Sequence, residues 1–106
     1  MHQLRFTADA THTLRELEEG GKAAESKLKK VRRALAHLQA NPRHPGLHSH
    51  QYESFPGRTA EKVWDSYVEN HAPAAWRLYW MYGPNEKDAA GNEISVITVL
   101  VIGPHL

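Results

Sequence analysis

The chain has 106 residues, 41% of them hydrophobic, no cysteine, and 13 Lys and Arg against 12 Asp and Glu. That length suits one domain with one modest core, and the missing cysteines exclude a disulfide framework and any thiolate metal site. The near-neutral total hides an asymmetry. Residues 1–50 carry nine Lys/Arg against five Asp/Glu, and residues 51–106 carry four against seven. The basic excess is a solvated helix face or a phosphate-attracting one, and any contact with nucleic acid is expected through a local patch.

Gln3 to Phe6 reads as a short edge strand. Thr7 or Asp9 can cap a following helix, because a short side-chain oxygen satisfies the free N–H groups of a first turn. Ala10, Leu14 and Leu17 then recur at helical spacing, and Gly20-Gly21 closes the helix. A second helix is expected from about Lys22 to Ala40. Its apolar stripe is Ala24, Leu28, Val31, Leu35 and Leu38, with the basic tract Lys27, Lys29, Lys30, Arg32 and Arg33 largely between these positions. Asn41-Pro42 stops it, since proline disfavours helix in the residue before it.

Residues 42–62 read as a long loop containing Pro42, Pro45, Gly46, Pro56 and Gly57, and loops of that length are more often functional or mobile. Three strand candidates follow. Val63 to Glu69 is rich in β-branched and aromatic residues. Ala75 to Tyr82 alternates, with Trp76, Leu78, Trp80 and Tyr82 on one face and Arg77, Tyr79 and Met81 on the other. Ile94 to Ile102 is almost continuously apolar and suits a strand buried on both faces. Gly83 to Asn92 reads as an exposed hairpin loop. Helices first and strands after define α+β. The expected fold is an N-terminal helical hairpin, preceded by a short edge strand and packed on a C-terminal antiparallel sheet of three to four strands. No signal-peptide-like stretch opens the chain, and the apolar run Val96 to Ile102 is too short to span a bilayer. A cytoplasmic, single-domain protein is expected over residues 1–106.

In order and local wording the chain resembles the RelE/ParE superfamily of bacterial toxins. The residues that carry the likeness are Asn41-Pro42-Arg43-His44-Pro45-Gly46-Leu47, then Val63-Trp64-Asp65-Ser66-Tyr67-Val68, then Trp76-Arg77-Leu78-Tyr79-Trp80, and last Val101-Ile102-Gly103-Pro104-His105. The ending at a histidine is similar to the YoeB-like branch, the ribosome-dependent mRNA interferases. The resemblance implies a type II toxin that cuts mRNA in the ribosomal A site, with a cognate antitoxin protein as partner and no cofactor. Carried over residue by residue, it implies a catalytic role for His105 and a phosphate-stabilising role for Arg77. Leu106 stands where that branch has tyrosine, and the Trp64 strand carries Asp65, Ser66 and Tyr67 where the ribosome-cutting members tend to carry arginine. Those departures suit two alternatives: a ParE-like toxin that poisons DNA gyrase, or a binding module that has kept the scaffold and lost the activity.

The residues fit the chemistry of RNA cleavage by the neighbouring 2′-hydroxyl. That reaction needs a base, a cation for the charge developing at phosphorus, and an acid for the leaving 5′-oxygen. Histidine serves as acid or base near neutral pH, and arginine can hold two phosphate oxygens with a planar fork. Arg77 is expected to point away from the packed Trp76, Leu78, Trp80 layer, or else to pair with Asp65 or Glu69 on the neighbouring strand. The cluster HPGLHSH offers His48 and His50 as a second acid/base or phosphate contact. A weaker alternative has these two binding zinc or nickel with His44 or His105, since residues i and i+2 of a strand share a face. Lys62, Arg58 and Arg43 are candidate phosphate contacts, and Tyr67 a candidate stacking platform for a base. Trp64, Trp76 and Trp80 are assigned to packing.

Overall fold

The computed structural model describes residues 1–57, 61–70 and 73–106. Strand β1 (Gln3–Phe6) leads into helix α1 (Ala8–Glu19), and helix α2 (Lys22–Ala40) follows after two glycines. A single 3₁₀ turn (Pro45–Leu47) precedes β2 (His50–Gln51). Strands β3 (Trp64–Tyr67), β4 (Trp76–Tyr82), β5 (Glu86–Lys87), β6 (Glu93–Ile94) and β7 (Val96–Pro104) complete the chain. The architecture is α+β, as expected.

The sheet differs from the expectation of three to four antiparallel strands. It has five strands in the order β1-β7-β4-β3-β2, and β5 and β6 form a separate two-stranded sheet. It is also mixed, because β1 lies parallel to β7, Gln3 opposite Val96 and Phe6 opposite Val99. Hydrophobic periodicity reports which face of a strand is buried but not its direction, so the parallel pairing leaves no mark in the pattern. Ile94 and Val96, expected on one strand, belong to two, and the carbonyl of Ser95 between them accepts from the Gln3 amide at 2.8 Å.

Each helix begins and ends where the residue chemistry allows. The Thr7 hydroxyl accepts from the Ala10 amide at 3.1 Å and donates to the Leu100 carbonyl at 2.6 Å. One side chain therefore caps α1 and ties it to β7. Leu100 is the extra residue at a register shift, since Tyr79 pairs with Val101 but Trp80 with Val99, which is the geometry of a β-bulge. Gly21 starts α2 with φ +62°, a conformation that costs glycine little. Asn41 ends α2 in an extended conformation before Pro42.

Both helices cover one face of the sheet. Ala10, Val31, Ala34, Leu35 and Leu38 pack with Leu78, Trp80, Ile97, Val99 and Ile102, and Leu4, Trp64 and Trp76 border the cluster. The opposite face carries a smaller cluster of Val63, Tyr79, Met81 and Leu100, with Tyr52 and Phe55 of the segment after α2 packed against it. The alternation read from Trp76 to Tyr82 is therefore observed, although Tyr82 is 48% exposed at its end. Glu69 ties α2 to the start of β4, because its carboxylate accepts from Lys27 Nζ at 2.8 Å, Lys30 Nζ at 3.3 Å and the Trp76 amide at 3.1 Å. Among the described residues no helix is long and apolar enough to cross a membrane.

Candidate functional site

The face opposite the helices gathers the polar chemistry. Alternation along β3 turns Trp64 and Ser66 toward the helices and Asp65 and Tyr67 away from them. On β4 the same rule turns Arg77 and Tyr79 away. Asp65 pairs with His50 of β2 on one side and Tyr79 of β4 on the other. It is fully buried, and a carboxylate can be so placed only with cationic or hydrogen-bonding partners.

Three such partners converge on it. Arg77 Nη1 lies 3.4 Å from Asp65 Oδ1. His50 Nε2 and His105 Nε2 lie 3.4 and 3.7 Å from Asp65 Oδ2. The arginine side chain is 14% exposed, whereas His50 and His105 are 51% and 40% exposed. The guanidinium also lies over the Tyr67 ring, 3.7 Å from its centroid, an attraction of the cation to the electron-rich face. Arg77 Nε is buried without a hydrogen-bond acceptor. The site is thus a buried anion and cation floored by an aromatic ring, with two accessible imidazoles at the rim.

The two histidines are held differently. His50 Nδ1 is 3.0 Å from the His48 carbonyl. A carbonyl only accepts, so Nδ1 carries a proton and donates. Its Nε2 faces Asp65 Oδ2 at 3.4 Å, and Oδ2 is buried without a hydrogen-bond donor. His105 is held by its backbone. Its amide donates to the Ala75 carbonyl at 3.1 Å. The next residue, Leu106, donates its amide to the Tyr79 hydroxyl at 2.8 Å and accepts from the Tyr52 hydroxyl at 3.1 Å. The Tyr52 ring meets the His105 ring edge to face, 5.9 Å between centroids. Burial pushes the Tyr79 phenol above its ordinary value near 10, so it stays neutral and keeps its place in this clamp.

A hydrogen-bonded chain fixes the segment that delivers His50. Trp80 Nε1 donates to Ser66 Oγ at 2.8 Å, and Ser66 Oγ lies 2.6 Å from Ser49 Oγ. Ser49 donates to the Pro42 carbonyl at 3.1 Å. Each hydroxyl has one proton, so Ser66 must donate to Ser49, and the chain runs in one direction from the core indole to the loop backbone.

Of the residues singled out from sequence, Arg77, His105 and His50 meet in this cluster, with Tyr67 beneath the guanidinium. His48 does not join them. It has φ +47° and lies outside β2, so the shared-face rule for i and i+2 does not apply, and its ring packs against Tyr67 at 5.0 Å. Among the described residues no group of three or more His, Asp or Glu is arranged to hold a metal ion. Lys62 is exposed just before β3, Arg43 borders a separate cavity near the end of α2, and Arg58 lies outside the described residues. Sequence reasoning named Asp65 only as a partner for Arg77. Its role as the common neighbour of both histidines, and that of Tyr52 in the clamp, had no signal in composition or spacing.

Comparison with known proteins gives no matching family model, no matching curated protein and no matching solved structure.

Proposed function

We propose that this protein is an endoribonuclease of the RelE/ParE toxin type, a ribosome-dependent mRNA interferase held in check by a cognate antitoxin protein. An N-terminal helical hairpin on a RelE/ParE-like sheet is the fold this reading carries. The observation that supports it is the meeting of Arg77, His50 and His105 around the buried carboxylate of Asp65. Two exposed imidazoles beside a guanidinium are the groups that 2′-hydroxyl attack on a phosphodiester requires.

The roles follow from the contacts. His105 faces Asp65 with Nε2 at 3.7 Å, and its Nδ1 takes the proton from the 2′-hydroxyl as that oxygen bonds to phosphorus. Arg77, whose side chain is 14% exposed, offsets the charge developing on the phosphoryl oxygens. His50, with Nδ1 engaged by the His48 carbonyl, gives its Nε2 proton to the 5′-oxygen as the P–O5′ bond breaks. The products are a 2′,3′-cyclic phosphate and a free 5′-hydroxyl, and the reaction consumes no net proton. Tyr67 offers a ring face beside the guanidinium on which a base can stack. The cytoplasm, where ribosomes and mRNA lie, is the compartment this reading requires.

A ParE-like toxin that binds DNA gyrase is the second reading. It is favoured by the engagement of Arg77 with Asp65, its side chain being only 14% exposed. Tightly controlled expression of wild type, His105→Ala and Arg77→Ala, with mRNA 5′ ends mapped in each culture, separates the two. The nuclease reading expects growth arrest with in-frame cleavages, both lost in either variant. Arrest without cleavage would support gyrase, and unimpaired growth would leave a binding module.

A further inference from the structure

A cavity of about 430 Å³ lies where the segment after α2 crosses the edge of β3. Its lining includes Trp64, Trp80 and Tyr82 from the sheet and Arg43, His44 and His48 from the segment. Trp64 and Trp80 belong to the helix-covered side, so this cavity is distinct from the Asp65 cluster on the opposite face.

The wall chemistry is selective. Trp64 and Tyr82 meet nearly at right angles, 78° with 6.2 Å between centroids. Tyr82 is 48% exposed and Trp64 partly so. They form an aromatic corner open to solvent, which leaves ring faces for a flat heterocycle. The rim carries a guanidinium and an imidazole. Arg43 is exposed, and no carboxylate among the described residues pairs with it. His44 Nδ1 accepts from the Gly46 amide at 3.0 Å, so the neutral ring carries its proton on Nε2 and can donate from there. His44 is further braced by a stack on His37, 3.9 Å between centroids. No acidic side chain lines the cavity. An aromatic corner beside an unpaired guanidinium and an imidazole N–H, in a volume of small-ligand size, matches a planar base joined to an anion.

We propose that this cavity binds a nucleotide, with the base against Trp64 and Tyr82 and the phosphate on Arg43 and His44. The site does not depend on the nuclease reading, since it shares no residue with the acid–base cluster. The same chemistry could be offered by a free mononucleotide or by one nucleotide of an RNA strand.

Tryptophan fluorescence tests it directly, because Trp64 and Trp80 are two of the three tryptophans. The intact protein is titrated with 5′-AMP, with adenosine, and with a 5′-phosphorylated deoxyribose hexanucleotide, which lacks the attacking 2′-hydroxyl. Saturable quenching by 5′-AMP is expected with a Kd at or below about 1 mM. Adenosine should bind about tenfold more weakly, as should 5′-AMP to Arg43→Ala. Arg43 is exposed, so that variant keeps the fold. Tighter binding of the hexanucleotide than of 5′-AMP would assign the cavity to an RNA strand, and the reverse to a free nucleotide. No saturable quenching, or equal affinity in wild type and Arg43→Ala, would overturn the proposal. So would loss of binding in His105→Ala with Arg43→Ala unaffected, which would move the ligand to the Asp65 cluster. Loss of binding in Arg43→Ala is read without any cleavage assay, so the two readings fail separately.

Discussion

Asp65 and Arg77 are diagonal neighbours across β3 and β4, not direct ones. Arg77 faces Tyr67 in the register and Asp65 faces Tyr79, yet Arg77 Nη1 reaches back to Asp65 Oδ1 at 3.4 Å while its guanidinium lies over Tyr67. Diagonal pairs on one sheet face are within reach of long side chains. The arginine thus serves two residues of β3 at once, and the direct cross-strand position opposite Asp65 is left to Tyr79, which helps hold the segment bearing His105.

Removing the guanidinium leaves a buried anion with only the two rim histidines. Arg77→Ala is expected to cost about 3 kcal/mol in urea unfolding, the scale for breaking a buried ion pair from one side. In a double-mutant cycle with Asp65→Ala the two losses should fall short of additivity by at least about 1 kcal/mol. Strict additivity would mean that the two charges stabilise the fold independently.

Ser66 is the central member of the chain from Trp80 to Pro42. Ser66→Ala strands the buried indole N–H and removes the hydroxyl that holds Ser49. A loss of about 1–3 kcal/mol is expected, read by denaturant unfolding. The same change should loosen the approach of His50 to Asp65, measurable as broadened His50 ring signals in NMR. A stability change within measurement error would show that the hydroxyl chain carries no weight.

Glu69 gives the fold a pH dependence with a definite sign. The Lys27 hydrogen bond, above all, and then those from the Trp76 amide and Lys30 hold its carboxyl below the ordinary 4.5, against the opposing effect of burial. A carboxyl depressed in the folded state stabilises the fold above its unfolded value, and that contribution is lost as pH falls through the folded value. Glu69→Gln should therefore cost about 1–2 kcal/mol at neutral pH. The gap to wild type should stay constant down to about pH 5 and close below 4.5, as followed by thermal unfolding across a pH series. A gap that widened in acid would contradict the assignment.

Much of the scaffold was legible because its signals are local. Val31, Leu35 and Leu38 repeat at helical spacing and are buried, and Asn41-Pro42 stops α2 through the backbone of a single residue. The alternation from Trp76 to Tyr82 separates the two faces correctly. What stayed hidden depends on partners distant in sequence. The parallel pairing of β1 with β7 rests on direction. Strands β2, β5 and β6 have two residues each, too few for a period. For the site, Arg77 and His105 stood out by residue type and by resemblance. That His50 and not His48 joins them rests on the left-handed turn at His48 and on the register of His50 opposite Asp65. Neither can be read from the spacing of histidines.

The most direct test is cleavage of mRNA in purified ribosomes stalled with a codon in the A site, comparing wild type with His105→Ala. The account predicts cuts within the A-site codon, bearing 2′,3′-cyclic phosphate and 5′-hydroxyl ends, and a loss of at least about 100-fold in rate in the variant, the scale of general acid–base catalysis. Intact mRNA with wild type, or equal cutting by both proteins, would contradict it.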